Sequence, residues 1–268
     1  MARSALLNVM VEAVTKAGRS LTRDFNELEN LQVSRKGPGD FVSQADLKAE
    51  KTLRTALNKA RPGYSFLMEE GGEIDTGSDY RWIIDPLDGT TNFLHSNPMF
   101  AVSLALERAG ELIAGVIYNP VAEELFTAEK GRGAFMNDRR LRVAARRDMD
   151  ECLLTTGIPA LNKGKHGVAL FQQRNVMGQV AGIRATGSAA LALAYVAAGR
   201  FDGYWETGLC PWDVAAGMLL VREAGGFVSE PDPSASIYET GRLIAGNETV
   251  HAKMREILNR PLPEGMRG

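Results

Sequence analysis

Four acids carry the chemistry available to this chain: Glu69, Asp85, Asp88 and Asp213. Asp85 and Asp88 stand in the stretch from Arg81 to Phe93, Arg-Trp-Ile-Ile-Asp-Pro-Leu-Asp-Gly-Thr-Thr-Asn-Phe, and Glu69 stands beside Glu70. Carboxylate oxygens with no histidine or cysteine among them suit hard divalent ions such as Mg²⁺, Mn²⁺ or Ca²⁺ better than zinc or copper. Held close together without a cation, such acids repel one another, and some must have raised pKa values. Backbone N–H groups at a helix start just after Asp88 would collect an anion where the acids collect a cation. That pairing points to metal-assisted phosphate chemistry. Phosphate-monoester hydrolysis needs acceleration of up to ~10²¹-fold, against ~10²–10⁴ from one general base. Two or more ions can activate water, neutralise the phosphate and stabilise the leaving oxygen.

Strand ends and helix starts must position these groups. Trp82-Ile83-Ile84 reads as the end of a buried strand, which places Asp85 where the strand runs out. Pro86 then forces a tight turn that brings Asp88 to the same side. Gly89 permits close backbone approach, and Thr90, Thr91 and Asn92 favour a helix start. A strand over 64–69 ends in the paired acids Glu69-Glu70. Glu206 ends a strand over 201–206, and Pro211 opens a helix over 211–224 with Asp213 in its first turn. Macrodipole stabilisation alone would account for Asp213, as a capping box at Ser43–Asp46 would for Asp46. Gly187-Ser188-Ala189-Ala190 opens a helix over 188–198 with small residues, for packing or for a ligand.

The remaining pattern predicts an amphipathic helix over 3–28, an extended stretch over 31–43 broken at Lys36-Gly37-Pro38-Gly39, and a helix over 44–60. A hairpin over 100–108 and 111–119 turns at Ala109-Gly110, and 123–128 and 133–136 continue the antiparallel pattern. Arg139, Arg140, Arg142, Arg146 and Arg147 form a solvated basic linker, dividing an N-terminal α+β half (1–140) from a C-terminal α/β half (141–268). The second half alternates strand 152–156, helix 166–181, strand 183–186, helix 188–198, strand 201–206, helix 211–224, strand 243–246 and helix 247–259, which argues for an α/β layer.

With 268 residues, 44% of them apolar and 24% charged, the chain can bury a large core. Its net charge of −2 gives no global attraction to nucleic acid or anionic lipid. Cys152 and Cys210 form neither a disulfide framework nor a zinc motif and suit a reducing compartment. Early charges at Arg3, Glu12, Lys16 and Arg19 argue against a signal peptide, and the uncharged stretch from Ser188 to Gly199 is too short to span a bilayer. These features predict a cytoplasmic protein with no membrane partner. There is no Walker A pattern and no Gly-x-Ser-x-Gly elbow. Gly131-x-Gly133 lacks the third glycine of a dinucleotide fingerprint, and His95, His166 and His251 have no metal spacing.

Together these residues resemble the inositol monophosphatase family. Its pattern Trp-x-x-Asp-Pro-Leu/Ile-Asp-Gly-Thr-x-Asn-Phe stands at Trp82–Phe93, and Trp-Asp-x-x-Ala-Gly followed by Glu-Ala-Gly-Gly at Trp212–Gly217 and Glu223–Gly226. Lys36-Gly-x-x-Asp-Phe-Val-(x)₃-Asp46, Glu69-Glu70 and Gly187–Ala190 also match in order. The resemblance covers nearly the whole chain and is closest to bacterial members. It implies an α/β/α/β/α layered fold, a homodimer, and Mg²⁺-dependent, often lithium-sensitive hydrolysis of inositol monophosphates. It implies one metal on Glu69, Asp85 and the Leu87 carbonyl, a second on Asp85, Asp88 and Asp213, and a third, weaker one near Glu69 and Glu70. Thr90, oriented by Asp46, would position the attacking water. The Gly89 and Thr90 N–H groups would hold phosphate, and Asp88, Gly187, Ala189, Glu206 and Asp213 would line the polyol site.

Two alternatives follow. One is the same chemistry on histidinol phosphate, fructose 1,6-bisphosphate, a nucleotide 3′-phosphate or a sugar phosphate. The other is a regulatory role with RNA or the transcription machinery. Only the arginines over 139–147 could support it, and the net charge and lack of aromatics there weigh against nucleic acid as a partner.

Overall fold

Residues 3–28, 33–37, 40–158 and 166–261 are described by a computed structural model, with backbone alone for 33–37 and 40–43. Helix α1 (Ala5–Asn26) is amphipathic as expected. Ser4 caps it, its Oγ accepting from the Leu7 N–H at 3.1 Å, and Leu7, Met10, Val14, Ala17 and Leu21 form the buried stripe. Strands β1 (Val33–Gly37) and β2 (Asp40–Ser43) form a hairpin, so Lys36 and Gly37 belong to a strand, while Pro38 and Gly39 lie outside the described residues. The hairpin leads into α2 (Gln44–Ala60), which buries Ala45, Asp46, Ala49, Glu50, Leu53 and Leu57. The Ser43 half of the expected capping box also falls outside the described side chains.

The first sheet comprises β3 (Ser65–Met68), β4 (Gly72–Ile74), β5 (Tyr80–Asp88), β6 (Ala101–Arg108), β7 (Glu111–Asn119), β8 (Glu124–Glu129), β9 (Gly133–Met136) and β10 (Arg139–Arg140), in the order β10-β9-β8-β7-β6-β5-β3-β4. Only the β3–β5 pairing is parallel. The β6–β7 turn falls at Ala109-Gly110 as expected, both with positive φ (47° and 83°), a conformation matched to the twist of a tight hairpin. A five-residue helix α3 (Thr90–Leu94) follows β5.

The second sheet is mixed. It holds β11 (Leu153–Thr156), β12 (Gly182–Arg184), β13 (Gly203–Thr207), β14 (Phe227–Ser229) and β15 (Arg242–Gly246), in the order β12-β11-β13-β15-β14. Its helices are α4 (His166–Met177), α5 (Ala189–Ala197), α6 (Pro211–Glu223), α7 (Ile237–Thr240) and α8 (Glu248–Leu258). The helix expected to reach residue 181 stops at Met177, and the strand expected over 183–186 is Gly182–Arg184.

Side-chain alternation along the strands builds the layers. On β5, Trp82 and Ile84 face α1 and α2, whereas Ile83 faces α5 and α6. On β13, Tyr204 faces α5 and α6, whereas Trp205 faces α4 and α8. The result is the α/β/α/β/α sandwich, with α5 and α6 between the two sheets. Burial from both sides explains why α5 is apolar around its whole circumference. Close approach is made possible by glycine: a Cβ on Gly115 of β7 would lie 3.0 Å from the Ala216 carbonyl oxygen, and one on Gly217 of α6 would lie 2.5 Å from Leu193.

The basic run is not wholly a solvated face. Arg139 and Arg140 form the edge strand β10, and Arg146 Nε donates to the buried Asp202 carboxylate at 2.8 Å. Among the described residues both cysteines are free thiols, and no helix is long and apolar enough to cross a membrane.

Candidate active site

A bulge, not a turn after a finished strand, aims Asp85 and Asp88. The expectation that β5 ends at Asp85 is corrected: the strand runs on to Asp88. Asp85 pairs with Ser103 and Asp88 with Ala101, so three steps on β5 face two on β6. Strict alternation would send residues 85 and 88 to opposite faces, and the extra residue restores them to one face. Pro86 sits within the irregularity, where its missing N–H costs no ladder bond. Asp85 therefore shares the face of Ile83, towards α5 and α6. Gly89 follows with φ 95°, and a Cβ there would lie 2.9 Å from the Met99 carbonyl oxygen, so the chain can reverse into α3 only with glycine.

Asp85, Asp88 and Asp213 each offer a carboxylate oxygen, and these atoms lie within 4.8 Å of one another. A main-chain N–H orients each acid. Leu87 N–H donates to Asp85 Oδ1 at 2.9 Å, Ala190 N–H to Asp88 Oδ2 at 2.8 Å, and Cys210 N–H to Asp213 Oδ2 at 2.6 Å. The last contact belongs to the capping box of α6, so Asp213 both starts its helix and joins the cluster. Ser188 Oγ makes a further, short hydrogen bond to Asp88 Oδ2.

Burial, reinforced by the charges of Glu69, Asp88 and Asp213 and by a hydrogen bond with Glu69, holds the Asp85 carboxyl well above the usual range. Burial, then the Asp213 charge, pushes Asp88 up to about 7, against hydrogen bonds from Ser188, Ala190 and Ala189 that favour its anion. Three converging acids with all-oxygen donors and mutual repulsion are what a divalent cation would relieve, so these residues fit such an ion.

Glu69 continues the β3–β5 ladder through its N–H to the Ile84 carbonyl at 3.2 Å, which brings it beside Asp85. Glu70 lies in the turn to β4, where its N–H donates to Glu50 Oε2 at 2.9 Å. Neither glutamate is within the three-acid cluster itself. Thr90 Oγ lies 3.1 Å from both Asp46 Oδ1 and the Leu87 carbonyl oxygen. Its one hydrogen serves one acceptor at a time, and the buried Asp46 carboxylate is the stronger. Gly187, with φ 73°, passes so close to Asn92 that a Cβ would lie 2.7 Å from its amide nitrogen. Ala189 follows at the start of α5, with its N–H directed at Asp88. Glu206 Oε2 accepts from Tyr204 Oη at 2.5 Å.

Two contributors, Glu50 and Tyr204, escaped the sequence reading, and two more, Asn92 and Ser188, stood in its motifs without a site role. Asn92 Nδ2 donates to the Met99 and Thr186 carbonyls at 2.7 and 2.8 Å, tying α3 to the loop before α5. The motif did contain Asn92, but nothing local pairs it with a residue 94 positions away. A groove of about 580 Å³, lined in part by Lys130, Arg222, Glu230 and Tyr238, opens at the far end of α6 and contains none of Glu69, Asp85, Asp88 and Asp213.

The sequence matches the model of the inositol monophosphatase family over residues 2–263. The chain belongs to the inositol monophosphatase family. It is thus a phosphatase, a hydrolase of a family acting on phosphorylated substrates. It is 61% identical to an inositol-1-monophosphatase of Mesorhizobium japonicum, over 98% of this chain and 99% of that protein. It is 43% identical to a Nus factor SuhB of Pseudomonas aeruginosa, over 98% of each chain. The crystal structure of the extragenic suppressor protein suhB from Bartonella henselae superposes with a TM-score of 0.94 at 58% identity, covering 97% of this chain and 100% of that one.

Proposed function

We propose that this protein hydrolyses inositol monophosphates to inositol and phosphate with Mg²⁺, using two to three ions at sites that Mn²⁺ or Ca²⁺ could also occupy. The observation that carries this reading is the convergence of Asp85, Asp88 and Asp213 within 4.8 Å beside the Thr90–Asp46 pair. Glu69, Asp85 and the Leu87 carbonyl would hold one ion, Asp85, Asp88 and Asp213 a second, and Glu69 with Glu70 a third. Bound there, the cations would supply Lewis-acid charge to the phosphoryl oxygens and lower the pKa of water.

The chain's own groups do the rest. Asp46 accepts the Thr90 hydroxyl hydrogen, which leaves a Thr90 lone pair to orient the attacking water. Glu69, beside Asp85, takes the proton that water gives up. The N–H groups of Gly89 and Thr90 bind the phosphate, with Gly89 as the αL N-cap and Thr90 as the first residue of α3. Glu206, with Asp88, Asp213, Gly187 and Ala189, contacts the hydroxyls of the polyol. A carboxylate there can accept hydroxyl hydrogen bonds, and a substrate that displaced its water without supplying them would lose binding. In this reading the half over 1–140 supplies most of the cation site and the half over 141–268 reads the substrate. The family resemblance further supports a cytoplasmic homodimer, which sedimentation tests.

The direct test is turnover of a phosphomonoester panel with and without chelator. Inositol 1-phosphate should lead, and activity should vanish without divalent ions. Equal or better turnover of histidinol phosphate or fructose 1,6-bisphosphate would reassign the substrate.

That the Pseudomonas relative is a Nus factor favours a second reading, a regulatory association with RNA or the transcription machinery. The exposed Arg139, Arg140 and Arg142 are its surface. Salt-sensitive RNA binding, lost on reversing those three charges, would support it.

A further inference from the structure

The carboxylate assigned to polyol recognition is not held by its own strand alone. Tyr204 and Glu206 lie two residues apart on β13, so their side chains stand side by side on the face turned towards α5 and α6. Tyr204 is fully buried and its hydroxyl donates to Glu206 Oε2 at 2.5 Å. On the other side, β11 runs parallel to β13 with Thr156 opposite Trp205, which sets Gly157 next to Glu206. Thr156 Oγ locks that register by donating to the Trp205 carbonyl at 2.7 Å. The space that a Cβ on Gly157 would need is filled by the Glu206 carboxylate, and no other group is among its three nearest neighbours. One strand neighbour thus supplies a hydrogen bond and the other supplies an absence.

We infer that Tyr204 and Gly157 are positioning residues that set substrate selectivity, by fixing the Glu206 carboxylate in one orientation over a floor only glycine provides. The inference rests on the assignment of Glu206 to polyol hydroxyls. Tyr204 occupies one lone pair of Oε2, so the carboxylate meets the substrate with its remaining acceptor sites already aimed. Loss of the tyrosine hydroxyl removes one restraint on the carboxylate's orientation. A methyl group at position 157 displaces it bodily. Neither change touches Asp85, Asp88, Asp213 or the Thr90–Asp46 pair, so phosphate binding should persist while polyol recognition weakens. Burial, then the charge and hydrogen bond of Glu206 and the charges of Asp88 and Asp213, hold the Tyr204 phenol well above its ordinary pKa, so it remains a donor.

Tyr204→Phe keeps the buried ring. Gly157→Ala introduces a Cβ whose nearest obstacle is the movable end of a side chain, at a backbone φ outside the left-handed region. The two variants therefore test the same idea through different perturbations. Each should lower kcat/KM for inositol 1-phosphate about 3- to 10-fold more than for p-nitrophenyl phosphate. Each should also weaken inhibition by free myo-inositol while leaving inhibition by inorganic phosphate unchanged. A purely structural role would shift both substrates and both inhibitors together, and that outcome, or no change in either variant, overturns the inference. Glu206→Ala measured alongside separates the two levels. If it fails to discriminate between the substrates, the assignment of Glu206 falls, and the inference with it. If it discriminates and the two variants do not, the inference alone falls.

Discussion

The two faces that meet at the site are made differently. On the first sheet, Asp85 and Asp88 come from one short stretch of β5, aligned by a bulge and crowded by Glu69 and Asp213. On the second, Glu206 comes from β13 and is steadied by Tyr204, two residues away on the same strand. The first region keeps repelling charge together despite hydrogen bonds from Leu87, Ser188, Ala190 and Cys210, and a divalent cation would relieve it. The second supplies its carboxylate with a partner from within. On the proposed assignment the difference separates two functions: unresolved charge would mark the reacting side, and a preorganised hydrogen bond the reading side.

Substitutions in the first region should strike every substrate. Asp88→Asn should lower kcat on inositol 1-phosphate and on an aryl phosphate alike, by roughly 10³-fold, because the proposed second cation site would lose a charged ligand. Near wild-type turnover would remove Asp88 from the reacting group. Thr90→Ala should cost ~10²–10³ in kcat on both substrates with little change in KM, since its hydroxyl is assigned to the attacking water. A KM effect alone would make Thr90 a binding residue. In the second region, Glu206→Ala should cost ~10–100-fold on inositol 1-phosphate and far less on the aryl ester. Equal losses would erase the distinction between the regions.

The smallest expected effect concerns stability. Asp85 and Asp88 titrate above their unfolded values, so their contribution is fully present below the ordinary carboxylate pKa and is lost as pH rises through the folded values, about 7 for Asp88. Metal-free protein should therefore lose on the order of 2–3 kcal/mol between about pH 5 and pH 8 from Asp88, lowering Tm by about 5–10 °C. Divalent ions should restore most of that loss, and Asp88→Asn should flatten it. Thermal scans across this pH range, with and without Mg²⁺, check both points.

Much of this arrangement was legible from the chain. The threes-and-fours pattern of α1, the hairpin at Ala109-Gly110 and the strand–helix alternation after residue 150 each rest on local periodicity, and each appears in the fold. The short β4, β14 and α7 carry too few residues for a period to show. The site divides in the same way. Asp85-Pro-Leu-Asp88-Gly announces itself because one stretch contains it, although the sequence suggested a turn where a bulge operates. The Ser188–Asp88 bond and the Asn92–Thr186 bond span 100 and 94 residues. They depend on how α5 packs between two sheets, which no local pattern encodes. Tyr204 escaped because alternate apolar residues on a strand read as core, although its hydroxyl reaches only two residues along the same strand, to Glu206.

Calorimetric titration of Mn²⁺ into chelator-treated protein, wild type beside Asp85→Asn and Asp213→Asn, tests the shared cation site most directly. The account predicts saturable binding by the wild type, weakened at least tenfold by either substitution. Identical isotherms for the three proteins would contradict it.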